Sequence, residues 1–133
     1  MDDALRLLVR ERARHSCEYC QLSARDAPFL AFHVDHIIAR QHGGTDDPDN
    51  LALACLWCNL HKGPNLSGID PETGQIIVLF HPRRDQWYAH FVLQGVHIIG
   101  RTPTGRATIQ VLNMNAPERV ELRIELIDPE DSG

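Results

Sequence analysis

The chain has 133 residues, 43% of them hydrophobic, enough for one domain with a core of its own. Its 13 Lys and Arg stand against 18 Asp and Glu, and a net charge of −5 argues against tight nonspecific binding to nucleic acid, where phosphates are met by Lys and Arg. The imbalance is spread evenly, with 7 basic and 9 acidic groups in residues 1–65 and 6 and 9 in residues 66–133, so any basic surface must be local.

Residues 3–15 are expected to form a helix. Leu5, Leu8 and Val9 make an apolar stripe, and Arg6, Arg10 and Arg14 recur on another face. That arginine row is either a solvated face or a rail for phosphates. Phe29 to Ile38 has strand composition and runs into a polar, Gly-rich loop, Gly43 to Asn50. Leu51 to Ala54 reads as a short buried strand, followed by a helix from about Leu56 that Gly63-Pro64 stops. The longest unbroken apolar run, Leu51 to Cys58, is eight residues, far too short for a membrane span. With no basic stretch after Met1 to suggest a signal peptide, a cytoplasmic protein without membrane contact is expected.

Beyond residue 65, Asp70 to Gly74 predicts a turn and Ile76 to Phe80 a strand. Residues 86–94 and Val96 to Ile99 predict two more strands around Gly95, then a helix from about Thr104 through Leu112. Asn115 is expected to cap a last helix with Val120, Ile124 and Ile127 on one face, and Glu125, Asp128, Glu130 and Asp131 to form a frayed acidic end. No internal repeat and no long linker divides the chain, so residues 1–133 are expected to be one domain, of α+β class, with an extension over residues 64–133.

The four cysteines form two Cys-x-x-Cys pairs, Cys17/Cys20 and Cys55/Cys58. Four thiolates can surround one Zn²⁺ tetrahedrally at roughly 2.3 Å. A redox pair would sit in a strand–helix–strand unit, absent around Cys17, and nothing speaks for the oxidising compartment that disulfides need. Structural zinc is the expectation. Simple zinc ribbons separate their pairs by about 15–20 residues. Here 34 residues intervene, so something is inserted in the knuckle.

The insert reads His33-Val34-Asp35-His36-Ile37-Ile38, then Gly43-Gly44, then Asp49-Asn50-Leu51, and Asn59, His61, Lys62 and Gly63 follow the second pair. Over about residues 17–63 this order resembles the HNH endonuclease family: Cys-x-x-Cys, an Asp-His pair in a strand, a Gly-Gly loop, Asn-Leu, Cys-x-x-Cys and a Lys-Gly close. The signature positions fall at His36, Asn50 and Asn59, spaced 14 and 9 apart, an H-N-N variant. The resemblance implies a ββα-metal core inserted in the zinc knuckle, flanked by an N-terminal helix and a small C-terminal extension. It implies a metal-dependent endonuclease acting on DNA. Leu79 to Arg83, with His81, and Trp87, His90 and Phe91 look like segments that follow the core in small bacterial members, without an assigned role.

The chemistry suits those residue types. Phosphodiester hydrolysis needs an activated water, neutralised phosphate charge and a stabilised leaving oxygen, and one hard cation on oxygen ligands serves the last two. Asp35 and Asn59 are the expected ligands of Mg²⁺ or Mn²⁺. His36 is the expected general base, since unperturbed histidine titrates at about 6.5. Asn50 is expected to hold either that imidazole or the loop. Neighbours in a strand face opposite ways, so the strand is expected to end or bend at Asp35-His36. His33 could add a metal or phosphate contact or be structural. His61 is a further auxiliary candidate. Lys62 and Arg40 could each touch phosphate or simply cap a helix end. Trp57 is read as core, and Tyr19 has no assigned side.

Two other readings stand beside the nuclease. One is a zinc-dependent nucleic-acid-binding or adaptor module without catalysis, which the negative charge keeps open although the presence of Asp35, His36, Asn50 and Asn59 together favours the enzyme. The other is a purely structural zinc domain, which leaves the Asp-His pair and the Gly-Gly loop without a reason.

Overall fold

The computed structural model describes residues 1–127; of the expected acidic end, Asp128, Glu130 and Asp131 lie outside them. Helix α1 spans Asp3–Arg12, strands β1 and β2 span Phe32–His36 and Leu51–Cys55, and helix α2 spans Leu56–Lys62. The extension holds β3 (Ser67–Ile69), β4 (Ile76–Val78), α3 (Trp87–His90), β5 (Phe91–Gln94), β6 (His97–Gly100), α4 (Pro103–Leu112) and α5 (Pro117–Ile127). The α+β class expected from the sequence is what is found. The strands pair as three separate antiparallel hairpins, β1 with β2, β3 with β4 and β5 with β6.

Asp2 caps α1 by accepting the Leu5 N–H at 2.8 Å. The helix is shorter than expected. It stops at Arg12 because Arg14 and His15 take left-handed backbone conformations, φ 54° and 56°. Arg14 therefore leaves the row, and only Arg6 and Arg10 share a helical face. Arg12, on a different side, donates to the carbonyls of Leu51 at 2.8 Å and Pro48 at 3.1 Å and ties α1 to the start of β2.

All five residues of β2 are buried, which accounts for its unbroken apolar sequence. β1 pairs with it from Phe32↔Cys55 to His36↔Leu51. The loop between them includes two short 3-10 turns, Arg40–His42 and Pro48–Asn50. Helix α2 follows directly on Cys55, its N-cap, and is closed by Gly63, whose φ of 49° suits glycine, ahead of Pro64. Strand, long loop, strand and helix follow in the expected order.

The extension departs more. Strand β3 was not foreseen, and Trp87–His90 is a helical turn rather than part of a strand. Trp87 is thereby turned inward to Phe91, with ring centroids 5.0 Å apart, and its indole N–H donates to the Tyr19 carbonyl at 2.8 Å. Asn115 does not cap α5. Its amide brackets Ile98, accepting that residue's N–H at 2.9 Å and donating to its carbonyl at 2.8 Å. The stripe expected to bury α5 is largely outside, with Ile124 51% and Ile127 65% exposed, while Arg119 on the same helix is buried.

One cluster of buried side chains runs from Val9 through Tyr19, Leu51 and Leu53 to Phe91, Ile98, Leu112 and Met114. Each large apolar member contributes about 1.5–3 kcal/mol by leaving water. The extension thus packs on the same core as the knuckle.

Candidate active site

The four cysteine sulfurs lie within 4.8 Å of one another and all four residues are buried. The Cys20–Cys55 separation is 3.8 Å, close to the edge of a tetrahedron with bonds of roughly 2.3 Å. Each pair is closed by a backbone turn: the Cys20 N–H approaches the Cys17 sulfur at 3.4 Å and the Cys58 N–H approaches the Cys55 sulfur at 3.5 Å. Burial pushes the Cys17 and Cys58 thiols well above their usual range. Four thiolates at such a place need a cation. Arg119 supplies one charge, donating to the Cys58 sulfur at 3.0 Å while its other bonds go to the carbonyls of Leu112 and Asn113. The guanidinium also lies over the Trp57 ring, 5.6 Å from its centroid. The four sulfurs are placed to hold one zinc ion, and the donor set fits it.

Asp35 and His36 diverge from β1. The strand ends at His36, one of the two outcomes expected, with its register intact up to that residue and one more bond beyond it, from the Ile37 N–H to the Asn50 carbonyl at 2.8 Å. Asp35 is buried and accepts the Tyr19 hydroxyl at 2.7 Å. Lys62 is 2% exposed, so it is neither a surface phosphate contact nor a simple helix cap. Its ammonium lies 3.2 Å from one Asp35 oxygen and 3.4 Å from the other, and donates to the His36 carbonyl at 3.0 Å. Burial raises the Asp35 carboxyl, opposed by Lys62 and Tyr19. Tyr19, unassigned from sequence, is thus a hydrogen-bond donor to the acidic group of the site.

His36 points to the loop. Its Nε2 lies 2.8 Å from an Asp46 oxygen, which Arg40 also approaches at 2.7 Å. The bond to His36 is the main cause holding the Asp46 carboxyl below its usual range. An ionised carboxylate only accepts, so Nε2 is the donor in this bond, and in the neutral imidazole Nδ1 is then the acceptor. Asn50 holds the loop rather than the imidazole. Its Oδ1 accepts the Ile38 N–H at 2.9 Å, and its Nδ2 donates to the carbonyls of Ile38 at 3.0 Å and Thr45 at 2.8 Å. The loop returns so closely past the residues after β1 that a Cβ on Gly44 would lie 1.6 Å from the Ile38 carbonyl oxygen, which explains the glycine.

Asp35, His36 and Asn59 border one open cleft of about 400 Å³, together with Arg40. Its donors are a carboxylate and an amide oxygen, the hard set that Mg²⁺ or Mn²⁺ takes. Asp35 has lone pairs beyond those given to Tyr19 and Lys62, so the residues present fit such an ion. His33 borders a different cleft, with Arg6, Arg10, His36 and Arg40. His61 is exposed on α2. In the extension, His81 Nδ1 accepts the Arg83 N–H at 3.2 Å, Arg83 pairs with Glu18, and His90 Nδ1 meets the Thr102 hydroxyl at 2.7 Å. These three brace turns, and Trp87 belongs to the core.

Sequence reasoning missed Asp46 and Arg119. Nothing in the sequence separates Asp46 from its neighbours Asp47 and Asp49, and Arg119 reaches Cys58 across 61 residues. Among the described residues no helix is long and apolar enough to cross a membrane.

No curated protein and no solved structure matches the chain. Residues 17–65 match the family model described as HNH endonuclease, a span that includes both cysteine pairs, β1, the loop, β2 and α2. Family match, strand–loop–strand–helix order and cysteine cluster coincide on the same residues, so that residues 17–65 are similar to the HNH endonuclease family in sequence and in the order of their elements.

Proposed function

We propose that the protein is a metal-dependent DNA endonuclease in which His36 is the general base, Asp35 and Asn59 hold one Mg²⁺ or Mn²⁺, and the four cysteines hold a structural zinc. The observation that carries this reading is that Asp35, His36 and Asn59 border one cleft while a carboxylate fixes the His36 tautomer. The divalent ion, when bound, neutralises phosphate charge and stabilises the leaving oxygen. The protein's part is proton transfer and orientation. His36 Nδ1 takes a proton from water as the water oxygen bonds to phosphorus, the bond to the leaving oxygen breaks, and that oxygen is protonated from solvent. Asp46 stabilises the imidazolium so formed, and Asn50 holds the loop that carries Asp46.

A second reading, a zinc-dependent nucleic-acid-binding module without catalysis, draws on the Lys62 ammonium already beside Asp35. Nicking of supercoiled plasmid by zinc-loaded protein across a Mg²⁺ and Mn²⁺ titration separates the two. His36→Ala is expected to lower turnover by about 10²–10⁴-fold with DNA binding retained. Asp35→Ala and Asn59→Ala are expected to move the metal requirement to higher concentration. Wild-type protein that cuts at no metal concentration favours the second reading, and His36→Ala that cuts as fast as wild type removes the assigned base.

A further inference from the structure

Beside the Asp35–Asn59 cleft lies a second one, of about 450 Å³, lined by Met1, Arg6, Arg10, His33, Val34, His36 and Arg40. Its lining holds three arginines, two histidines and no carboxylate, in a chain with 18 acidic residues. Arg6 and Arg10 are one helical turn apart on α1, and the end of α1 at Arg12 keeps Arg14 out of the row. Among the described residues, neither Arg6 nor Arg10 has a carboxylate within ion-pair distance. Arg10 is steadied only by a long bond to the Phe32 carbonyl, 3.4 Å. Arg40 is different, since it is paired with Asp46 at the rim. His36 and Arg40 border both clefts and form the ridge between them.

We infer that this arginine cleft holds a backbone phosphate adjoining the one that enters the Asp35–Asn59 cleft, so that the DNA strand crosses the ridge at His36 and continues along α1. The inference rests on the nuclease reading for what fills the first cleft. The chemistry is its own: two unpaired guanidiniums at helical spacing offer forked donors that match a phosphate's oxygens. It also resolves the charge problem. The acidic chain need not attract DNA over its whole surface if arginines without a carboxylate partner stand next to the base.

The test is equilibrium binding of a fluorescent duplex by the full chain over a range of salt concentrations, without divalent ion so that nothing is cut. Each phosphate contact contributes about 0.9 to the slope of log affinity against log salt. The double variant Arg6→Gln/Arg10→Gln is expected to weaken binding and to flatten that slope by about 1.8. Arg6→Lys/Arg10→Lys, which keeps both charges, is expected to restore most of the slope, which a merely structural role for the arginines would not produce. A slope unchanged in the Gln double variant overturns the inference, as does a Lys double variant as flat as the Gln one. Plasmid nicking by the wild type is read separately: no nicking, with a slope that depends on the arginines, sinks the nuclease reading and leaves α1 as the DNA contact.

Discussion

The HNH segment and the extension use buried polar groups in opposite ways. In residues 17–62, Tyr19 and Lys62 both bond to Asp35 beside a cleft, and His36 is held at its edge. In the extension, buried or half-buried polar groups close on one another and on the backbone. Asp70 binds Arg106 through both oxygens at 2.9 Å, and Arg106 holds its carboxyl down to about 2. Asp70 also accepts the Glu72 N–H within its own turn, so one residue ties the β3–β4 hairpin to α4. Arg123 donates to the carbonyls of Val96 and Met114, and Asn115 brackets Ile98. On the proposed function, the first set of polar groups serves chemistry and the second serves shape. The extension supports the knuckle from behind, through Trp87 on Tyr19 and Arg119 on Cys58.

The largest effect expected from breaking this division is at the metal. Structural zinc contributes about 10–16 kcal/mol of apparent folding energy in small domains. Cys58→Ser, or prolonged chelation, is expected to unfold the HNH segment and release the extension with it, read as loss of helical circular dichroism and of about one zinc per chain. A chelated protein that stays fully folded would remove zinc from its structural role. Next comes His36→Ala, whose loss of about 10²–10⁴-fold lies in turnover alone, with an unchanged melting temperature.

Arg119→Met sharpens the comparison because it crosses the boundary. Loss of a residue bonded to a metal ligand is expected to lower zinc affinity by about 10–100-fold, measured by competition with a chromogenic chelator. Unchanged affinity would mean that Arg119 only packs α5. The smallest effect is expected within the extension. Thr102 caps α4, accepting the Gly105 N–H at 3.0 Å, and also meets His90. Thr102→Ala is expected to cost about 1 kcal/mol, or roughly 3–5 °C in Tm, and to leave zinc affinity unchanged. A matching fall in zinc affinity would show that the two regions are less separate than their bonding suggests.

The sequence by itself determined the two cysteine pairs, the strand–loop–strand–helix order and the grouping of Asp35, His36 and Asn59 at one cleft. Those features are local: two-residue spacings within each cysteine pair, an apolar run long enough for one buried strand, and a Gly-Pro stop. Tertiary structure decided the partners. Lys62 reads as a surface cation near a helix end, yet the packing of α2 on β1 buries it against Asp35. Asn50 braces the loop because two 3-10 turns fold that loop back on Ile38. The Val120, Ile124 and Ile127 spacing predicts a buried face, but α5 turns Arg119 inward, because the sulfurs attract a cation that helical periodicity cannot register. Spacing along the chain reports what neighbours can do together. Which charge meets which, across dozens of residues, is set by how the elements pack.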